Sequence, residues 1–283
     1  MSKQYSWQIL NGFYLKIIAF ILMTFDHIGV FMEMYGNAPE VAYAFRIIGR
    51  LAFPLFIFMM VEGVRHTKNY GKYALRLGIV AIAVLIAEVV IHYCFMEMNA
   101  YSPLLDLLAC SCVIYLLKRK DKWTWFVILP LAYIGLSFTA DVLENINNIT
   151  IHWLPFYLRA GYSIFGLLLS IAFYYSNHLA RLFLNSSDST KAFTDSAMER
   201  NVINILSTFF LFVVSLAMYL LSFVNGCDLY YGGIIMWGIL SGAFFMLYNG
   251  TRGYNKKWFQ YGSYLYFPLH IVILFVIFML INR

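Results

Sequence analysis

The sequence is dominated by apolar runs, most of which are long enough to cross a lipid bilayer as helices. A hydrocarbon core of about 30 Å takes roughly 20 apolar residues, because a helix rises about 1.5 Å per residue. Such runs lie at 14–32, 44–63, 74–95, 102–117, 124–140, 157–175, 202–224, 229–248 and 263–281. They predict an all-α, polytopic membrane protein with about nine transmembrane helices.

Composition supports the same class of protein. Hydrophobic residues make up 62% of the 283 residues and charged residues 12%, a balance that excludes a soluble globular domain. The predicted spans use the whole chain, so we expect one integral-membrane domain over 1–283, with a polar cytoplasmic linker at about 177–201. The N-terminal segment lacks the cleavage site of a signal peptide, so we expect the first span to be retained. The cysteines lack metal-binding spacing, and we expect no metal ion.

The loops between the runs alternate in charge. Those at 33–43, 96–101, 141–156 and 225–228 contain no lysine or arginine. The intervening loops carry the basic residues Arg65, Lys68, Lys72, Arg76, Lys118, Arg119, Lys120, Lys122, Arg181, Lys191, Arg200, Arg252, Lys256 and Lys257. This alternation follows the positive-inside pattern and predicts a cytoplasmic N-terminus and an external C-terminus. It also accounts for the net charge of +6, so we expect no nucleic-acid partner.

The first span carries two ionisable residues side by side, Asp26 and His27. Such a side chain near the middle of a spanning helix costs about 2.5–3.5 kcal/mol on insertion scales, so a partner or a function must offset it. Arg46 and Arg50 lie on one face of the second span, at a similar depth in the outer half of the membrane. We therefore expect Asp26 to contact one of these arginines, either to lock two helices together or to build a site.

His27 requires a different partner from Asp26. Neighbouring residues of a helix are rotated by about 100°, so Asp26 cannot orient the imidazole as the carboxylate of a catalytic triad would. His27 is then either a packing residue held by a hydrogen bond or a residue that faces a cavity. A histidine facing a cavity suits proton transfer, because its ordinary pKa of about 6.5 lies near neutrality.

A second group of polar residues is expected near the cytoplasmic face. Glu62, Arg65 and His66 end the second span, Glu88 lies in the third, and the segment LYNGTRG at 247–253 follows the eighth. Together with the first group, these residues predict a polar path through the membrane. The alternative for the residues that end the second span is an interfacial cluster whose side chains reach toward water.

The ninth span contains a histidine next to a helix-disrupting residue. Pro268 removes a backbone hydrogen bond two residues before His270. From an inner boundary near residue 262, His270 should lie about 12 Å into the membrane. We therefore expect His27 and His270 to stand at different depths along the same path.

Several motifs together resemble a known family. The chain contains, in order, LKIIAFILMTFDHIG, FRIIGRLAFPLFIFMMVEGVRHT, KYALRLGIVAIAVLIAE, YSIFGLLLSIAF, and LYNGTRG followed by YLYFPLH. This combination resembles the TraX family over nearly the whole chain. The named member of that family is associated with N-acetylation of the conjugative pilus subunit.

The resemblance implies a multi-pass acyltransferase of the bacterial cytoplasmic (inner) membrane, with acetyl-CoA as donor. The implied acceptor is an amine or hydroxyl of a peptide, pilin or surface glycan, and an oligomer is compatible with the sequence. His27 and Asp26 are the implied catalytic residues, and Arg46 and Arg50 would hold the acceptor or the oxyanion. The residues implied for acetyl-CoA binding are Glu62, Arg65, His66, Asn249, Arg252, Lys256, Lys257 and His270.

In this interpretation the CoA phosphates meet the basic loops and the pantetheine arm threads between spans toward His27. His270 lines that route or serves as a covalent relay. A proton-coupled transporter would use the same polar path, but the odd span number and the absence of a sequence repeat favour the acyltransferase. A non-catalytic assembly component is a third class, for which substitutions of Asp26 and His27 would be tolerated.

Overall fold

The computed structural model describes residues 5–95, 102–147, 149, 151–186, 196–223 and 232–282. Regular structure within these ranges is helical, apart from one isolated bridge between Leu10 and Tyr248. The α-helices are α1 (Gly12–Met34), α2 (Pro39–Gly49), α3 (Ala52–His66), α4 (Tyr70–Cys94), α5 (Pro103–Arg119), α6 (Ile128–Asn147), α7 (Ser163–Ser186), α8 (Ser196–Leu221), α9 (Gly232–Ile235), α10 (Gly242–Met246) and α11 (Lys257–Ile281). Short 3₁₀ helices cover Lys122–Val127, Phe156–Leu158 and Met236–Ser241.

Seven helical segments of the described ranges are long and apolar enough to span a membrane. They are Gly12–Met34, Pro39–His66, Tyr70–Cys94, Lys122–Glu144, Phe156–Leu184, Ala197–Leu221 and Lys257–Ile281. Helix α5, with 17 residues, and the apolar segment Gly233–Met246 are shorter. The chain is therefore an all-α polytopic membrane protein, as predicted, and the total of nine spans stays a prediction.

Helices α1 and α11 lie side by side and run in the same direction. At their beginnings the Gly12 N–H donates a hydrogen bond to the Thr251 carbonyl at 2.8 Å. At their ends Asn37 Nδ2 donates to Asn282 Oδ1 at 2.9 Å. Residues the same distance along the two helices therefore lie at the same depth.

The basic loops meet at one end of the bundle, which we call the basic end: the end at which α1, α4 and α11 begin. Lys118, at the end of α5, donates to the backbone carbonyls of Val64 and Arg65 at 3.2 and 2.8 Å. Arg200, at the start of α8, donates to Glu62 near the end of α3 at 3.0 Å. This gathering of cationic loops is what the charge alternation predicts, because with nine spans each of these loops would follow an even number of crossings.

The second predicted span is longer than expected and is broken. It runs as α2 and α3, with a two-residue break at Arg50–Leu51. Pro54 lies in the first turn of α3 and has no N–H to donate to the Arg50 carbonyl one turn earlier, so the regular hydrogen-bond pattern of the helix is interrupted at this point. The break lies beside one of the predicted site residues.

The polar linker is shorter than the predicted range of about 177–201. Helix α7 extends to Ser186 and α8 begins at Ser196, so much of the range is helical. The stretch 177–186 has neither glycine nor proline, and its polar side chains do not prevent the helix from continuing past the apolar span. Lys191 and the rest of 187–195 lie outside the described residues.

Candidate functional site

Two glycines allow α1 and α2 to approach closely. A Cβ atom on Gly29 of α1 would lie 2.8 Å from the Ala42 carbonyl oxygen and 2.9 Å from Arg46 Cγ. A Cβ atom on Gly49 of α2 would overlap Asp26. Any larger residue at either position would push the helices apart, so these glycines bring the arginines of α2 to the aspartate of α1.

Asp26 contacts both predicted arginines through one carboxylate oxygen. Its Oδ1 accepts hydrogen bonds from Arg46 Nη1 at 3.0 Å and from Arg50 Nη2 at 2.9 Å. The two arginine side chains are 8% and 3% exposed, so these are buried ion pairs. Arg46 Nε also lies 3.5 Å from Glu33 Oε2. The expected contact is present, and it is made twice.

Arg50 extends this arrangement to Tyr162, just before α7. Arg50 Nη1 donates to the Tyr162 hydroxyl at 2.9 Å, and the Tyr162 ring stacks on Phe53 with ring centroids 3.7 Å apart. The Tyr162 backbone N–H donates to buried Asp106 of α5 at 3.1 Å. Tyr162 is thus held by side chain and backbone, with its hydroxyl against a guanidinium.

The segment that leads into Tyr162 is anchored by a buried arginine. Arg159, 1% exposed, donates from Nη1 to Asp141 at 3.1 Å and to Glu144 at 2.6 Å. Its Nε donates to the Leu154 carbonyl at 2.8 Å. These bonds connect the end of α6 to the loop before α7 and fix the path of the chain into Tyr162.

His27 and His270 face each other across the contact between α1 and α11. Their ring centroids are 4.8 Å apart with the planes nearly perpendicular, and His270 Nε2 lies 3.4 Å from His27 Nδ1. The Tyr266 ring stacks on His270, and the Tyr266 hydroxyl hydrogen-bonds to Thr24. The two histidines therefore form a pair that aromatic packing holds in place.

The backbone contacts of the two rings assign their tautomers. His270 Nδ1 lies 2.8 Å from the Tyr266 carbonyl and His27 Nδ1 lies 2.9 Å from the Met23 carbonyl, so both Nδ1 atoms carry hydrogen. His270 Nε2 then accepts from His27 Nδ1–H, which is shared with Met23. This leaves His27 Nε2 with its lone pair and without a protein donor among the described residues.

A cavity lies beside the histidine pair and reaches Asp26 and Tyr162, which both contact Arg50. It has about 530 Å³ of space outside the protein atoms, part of it open to the exterior. Its polar lining consists of Asp26, His27, Glu88, Tyr162 and His270. Apolar residues complete the lining: Met23, Gly49, Ala52, Phe53, Phe56, Val84, Pro103, Leu104, Leu107, Phe267 and Ile271. His27 therefore both has a hydrogen-bond partner and faces a cavity.

The expectation that the two histidines stand at different depths is wrong. Helix α11 begins at Lys257, before the boundary predicted near 262, and continues through Pro268. His270 is therefore about 20 Å along α11, and His27 is about 22 Å along α1. Because these helices are parallel, the two residues meet at one level.

Glu88 also lies deeper than its predicted place near the cytoplasmic face. Helix α4 begins at Tyr70, so Glu88 is about 27 Å from the basic end. Its own span begins, rather than ends, at the basic end, so Glu88, in the second half of α4, lies far from the residues that end α3. The structure places it in the cavity with His27.

A second polar group, which we call the Glu62 cluster, consists of Glu62, Arg65 and Arg200. Glu62 Oε1 accepts from Arg65 at 2.7 Å, and Glu62 Oε2 accepts from Arg200 at 3.0 Å. Arg200 also lies over the Tyr248 ring, 5.2 Å from its centroid. Nearby His66 is largely exposed and contacts the Glu62 carbonyl at 2.9 Å. Both oxygens of the Glu62 carboxylate are thus used within the protein.

The remaining residues predicted for acetyl-CoA binding lie at the basic end, before or at the start of α11. Asn249 Oδ1 accepts from the Thr251 N–H and hydroxyl at 2.9 and 2.7 Å, which shapes the turn. Arg252, Lys256 and Lys257 are exposed and have no carboxylate partner in the part of the chain that the structure describes. His270 is separate from this group and belongs to the cavity.

Four polar residues of these two regions were not predicted from the sequence. Asp106 and Arg159 lie in apolar runs, so the cost of burying charge was a usable signal for both. Tyr162 and Arg200 gave no such signal, because an aromatic residue and a loop arginine are ordinary in a membrane protein. Their roles depend on partners far away in the chain.

Comparison with known proteins gives a family and one named relative. A family model described as "TraX protein" matches residues 11–182. "Probable fimbrial assembly protein FimC, serogroup H1" of Dichelobacter nodosus is 38% identical over 74 residues, which is 25% of this chain and 30% of that protein. No solved structure matches the chain.

Proposed function

The chain belongs to the TraX family, and from this we propose that it is a membrane-embedded acyltransferase. In this proposal it moves an acetyl group from acetyl-CoA to an amine or hydroxyl of a peptide, pilin or surface-glycan acceptor. The name of the fimbrial relative supports a pilus or fimbrial subunit as acceptor. The observation that carries the proposal is the lone pair of His27 Nε2 in a cavity whose wall includes Asp26 and Tyr162, which hydrogen-bond to buried arginines.

The geometry of His27 suits a general base. The Met23 carbonyl and His270 fix the tautomer, as the orienting group of a catalytic histidine does. His27 Nε2 would take the acceptor proton while the acceptor attacks the thioester carbonyl. The carbon–sulfur bond then breaks, and the proton passes from His27 to the leaving thiolate, which gives free CoA.

The arginines suit the stabilisation of negative charge on the carbonyl oxygen. The ion pairs of Asp26 with Arg46 and Arg50, together with the contact of Arg46 with Glu33, hold the positive charge of Arg50 in a fixed position next to Tyr162. Tyr162, whose hydroxyl accepts from Arg50, brings this charge to the cavity wall. In low-dielectric surroundings such fixed charge is worth more than in water.

The exposed cations of the basic end suit the phosphates of the donor. Arg252, Lys256 and Lys257 are exposed, whereas Arg65 is committed to Glu62. The basic end is about 22 Å from His27 along α1, a distance for which the long pantetheine arm is suited. Acetyl-CoA would then enter from this end and place its thioester in the cavity.

Thiol release from acetyl-CoA by the purified protein in detergent tests the proposal. We expect slow release without acceptor, and a loss of about 100-fold or more in His27→Ala, since general-base catalysis contributes about 10²–10⁴-fold. His152→Ala removes an exposed histidine outside the cavity and is the matched control. Neither thiol release nor CoA binding by the wild type would contradict the proposal and favour a transporter.

A further inference from the structure

Glu88 is on the buried face of α4. The buried residues of this helix, Val80, Ala81, Val84, Glu88 and Ile91, recur at the three- or four-residue spacing of one helix face. Val84 and Glu88 are one turn apart, and both line the cavity. The carboxyl group, 4% exposed, therefore belongs to the cavity rather than to the lipid-facing side of α4.

Glu88 differs from the other buried acidic residues because its side chain has no protein partner among the described residues. Within the described part of the chain, Glu88 Oε2 is buried without a hydrogen bond, and no residue forms an ion pair with this side chain. Asp26 and Glu62 each contact two arginines, and Asp106 accepts a backbone N–H. A buried carboxylate without a partner is costly unless a cation or a proton neutralises it, so the cavity is suited to a cationic group.

The aromatic lining of the cavity supports the same kind of occupant. The rings of Phe53, Phe56 and Phe267 border the cavity that Glu88 faces. Aromatic faces attract ammonium groups, by about 0.5–2 kcal/mol depending on exposure. An ammonium ion would neutralise the carboxylate and contact the rings, whereas a neutral hydroxyl would leave the buried charge uncompensated.

The number of bases in the cavity also bears on whether the acceptor is an amine or a hydroxyl. A hydroxyl acceptor gives up one proton when it is acylated, and this proton ends on the thiolate, so one base is sufficient. An amine enters as R–NH₃⁺ and gives up two protons, the first to become nucleophilic and the second on attack. His27 provides one base, and Glu88 provides the second acceptor that an ammonium substrate requires.

We propose that Glu88 binds the ammonium group of a primary-amine acceptor and takes its first proton, a role that rests on the proposed acyltransferase function. The resulting amine attacks the acyl carbonyl, and a carbon–nitrogen bond forms while the carbon–sulfur bond breaks. His27 passes the second proton to the thiolate. The products are the amide, free CoA thiol and one proton, which Glu88 releases to solvent.

The other titratable groups near Glu88 are engaged elsewhere or belong to the same reaction. Asp26 is held by Arg46 and Arg50, and Tyr162 accepts from Arg50. Asp106 of α5 accepts from the Tyr162 backbone, and on α4 itself the His92 ring contacts Phe156. His27 of α1 and His270 of α11 face the cavity as the pair already described.

The test compares Glu88→Gln with wild type, using phenylalaninamide and 3-phenyllactamide as acceptors that differ in an amine and a hydroxyl. The glutamine keeps the size of the side chain and removes an uncompensated carboxyl, so the variant should fold. We expect wild type to prefer the amine, and Glu88→Gln to lose about tenfold or more in kcat/KM for the amine at pH 6.5. Glu40→Gln, at an exposed position of α2, is the matched control.

The pH profile separates this role from a structural one. An α-amino group has an ordinary pKa of about 7.7–8.0, so at pH 9 the acceptor is largely deprotonated before it binds. The defect of Glu88→Gln should therefore shrink between pH 6.5 and pH 9. A defect that is equal at both pH values, or equal use of amine and hydroxyl by wild type, would overturn the proposal.

A binding measurement keeps the proposal testable if no acyl transfer is found. Phenylalaninamide should raise the Tm of wild type more than N-acetylphenylalaninamide does, and this difference should be lost in Glu88→Gln. Absence of thiol release together with this pattern would reject the acyltransferase and retain the amine site. Equal stabilisation of both proteins by both compounds would reject the amine site, whatever the activity.

Discussion

The cavity and the Glu62 cluster contain the same kinds of side chain but use them differently. In the Glu62 cluster, both carboxylate oxygens accept from arginines, and the charges neutralise one another. In the cavity, His27 Nε2 and Glu88 have no protein partner among the described residues, although both are enclosed by helices. Both regions contain buried charges, so charge alone does not identify a candidate reaction site. What distinguishes the cavity is that some of its polar atoms are not already hydrogen-bonded within the protein.

The largest effect that sharpens this comparison is expected from Asp26→Ala. It leaves Arg46 and Arg50 buried without their shared carboxylate, which should cost about 3–5 kcal/mol of stability. Glu62→Ala also removes an acid from two arginines, but Arg65 and Arg200 are 18% and 13% exposed and can reach water. Thermal unfolding in detergent should therefore show the larger Tm decrease for Asp26→Ala. Equal decreases would mean that the two groups are energetically alike.

The next effect is expected from Arg50→Lys. Lysine keeps the positive charge but cannot contact Asp26 and Tyr162 together through a planar fork, so Tyr162 loses its position. We expect thiol release to fall by about 100-fold, comparable to the loss of one oxyanion donor. Arg181→Lys changes an exposed arginine in the same way and serves as the control. Full activity of Arg50→Lys would show that the arginines serve packing alone.

A smaller effect is expected from His270→Gln. His270 lies 3.4 Å from His27, which retains its shorter bond to Met23, so the tautomer of His27 should survive. We expect thiol release to fall by about fivefold to tenfold, consistent with the loss of a hydrogen bond worth about 1 kcal/mol. A loss as great as that of His27→Ala would instead indicate that His270 acts as a covalent relay, and mass spectrometry of the trapped protein would then be decisive.

The smallest effect is expected from the pair Lys256→Glu and Lys257→Glu. Reversal of two exposed charges should raise the KM for acetyl-CoA by about fivefold and leave kcat nearly unchanged, because each contact is screened by solvent. The increase should diminish at high salt. Lys120→Glu reverses an exposed charge elsewhere at the basic end and is the control. An unchanged KM would place the donor phosphates away from α11.

Much of the fold follows from short-range properties of the sequence. The lengths of the apolar runs are sufficient to predict the spanning helices. The alternation of basic loops is sufficient to predict that the cationic loops gather at one end of the bundle. The contact of Asp26 with Arg46 and Arg50 was also predictable, because burial of a charge in the membrane forces pairing with the nearest opposite charge. These residues are 20 and 24 positions apart, within one helical hairpin.

The rest of the site depends on distant parts of the chain. To predict that His27 pairs with His270, one must know how deep His270 lies in the membrane. The apolar run gives too small a depth, because polar residues in the first turns of α11 extend the helix beyond that run. The position of Tyr162 depends on Asp106 and Arg50, which are 56 and 112 residues away. The break at Arg50–Leu51, by contrast, has a local signal in the sequence, because Pro54 follows it within one helical turn.

The contact between α1 and α11 also determines the order in which the site is built during synthesis. Thr24 and Tyr266 are 242 residues apart, which at about 5–20 residues per second corresponds to roughly 10–50 s of translation. Asp26 gains its arginines as soon as the following hairpin is inserted, so its charge is neutralised early. His27 acquires its partner when α11 arrives. The histidine pair is therefore completed after the ionic framework is already in the membrane.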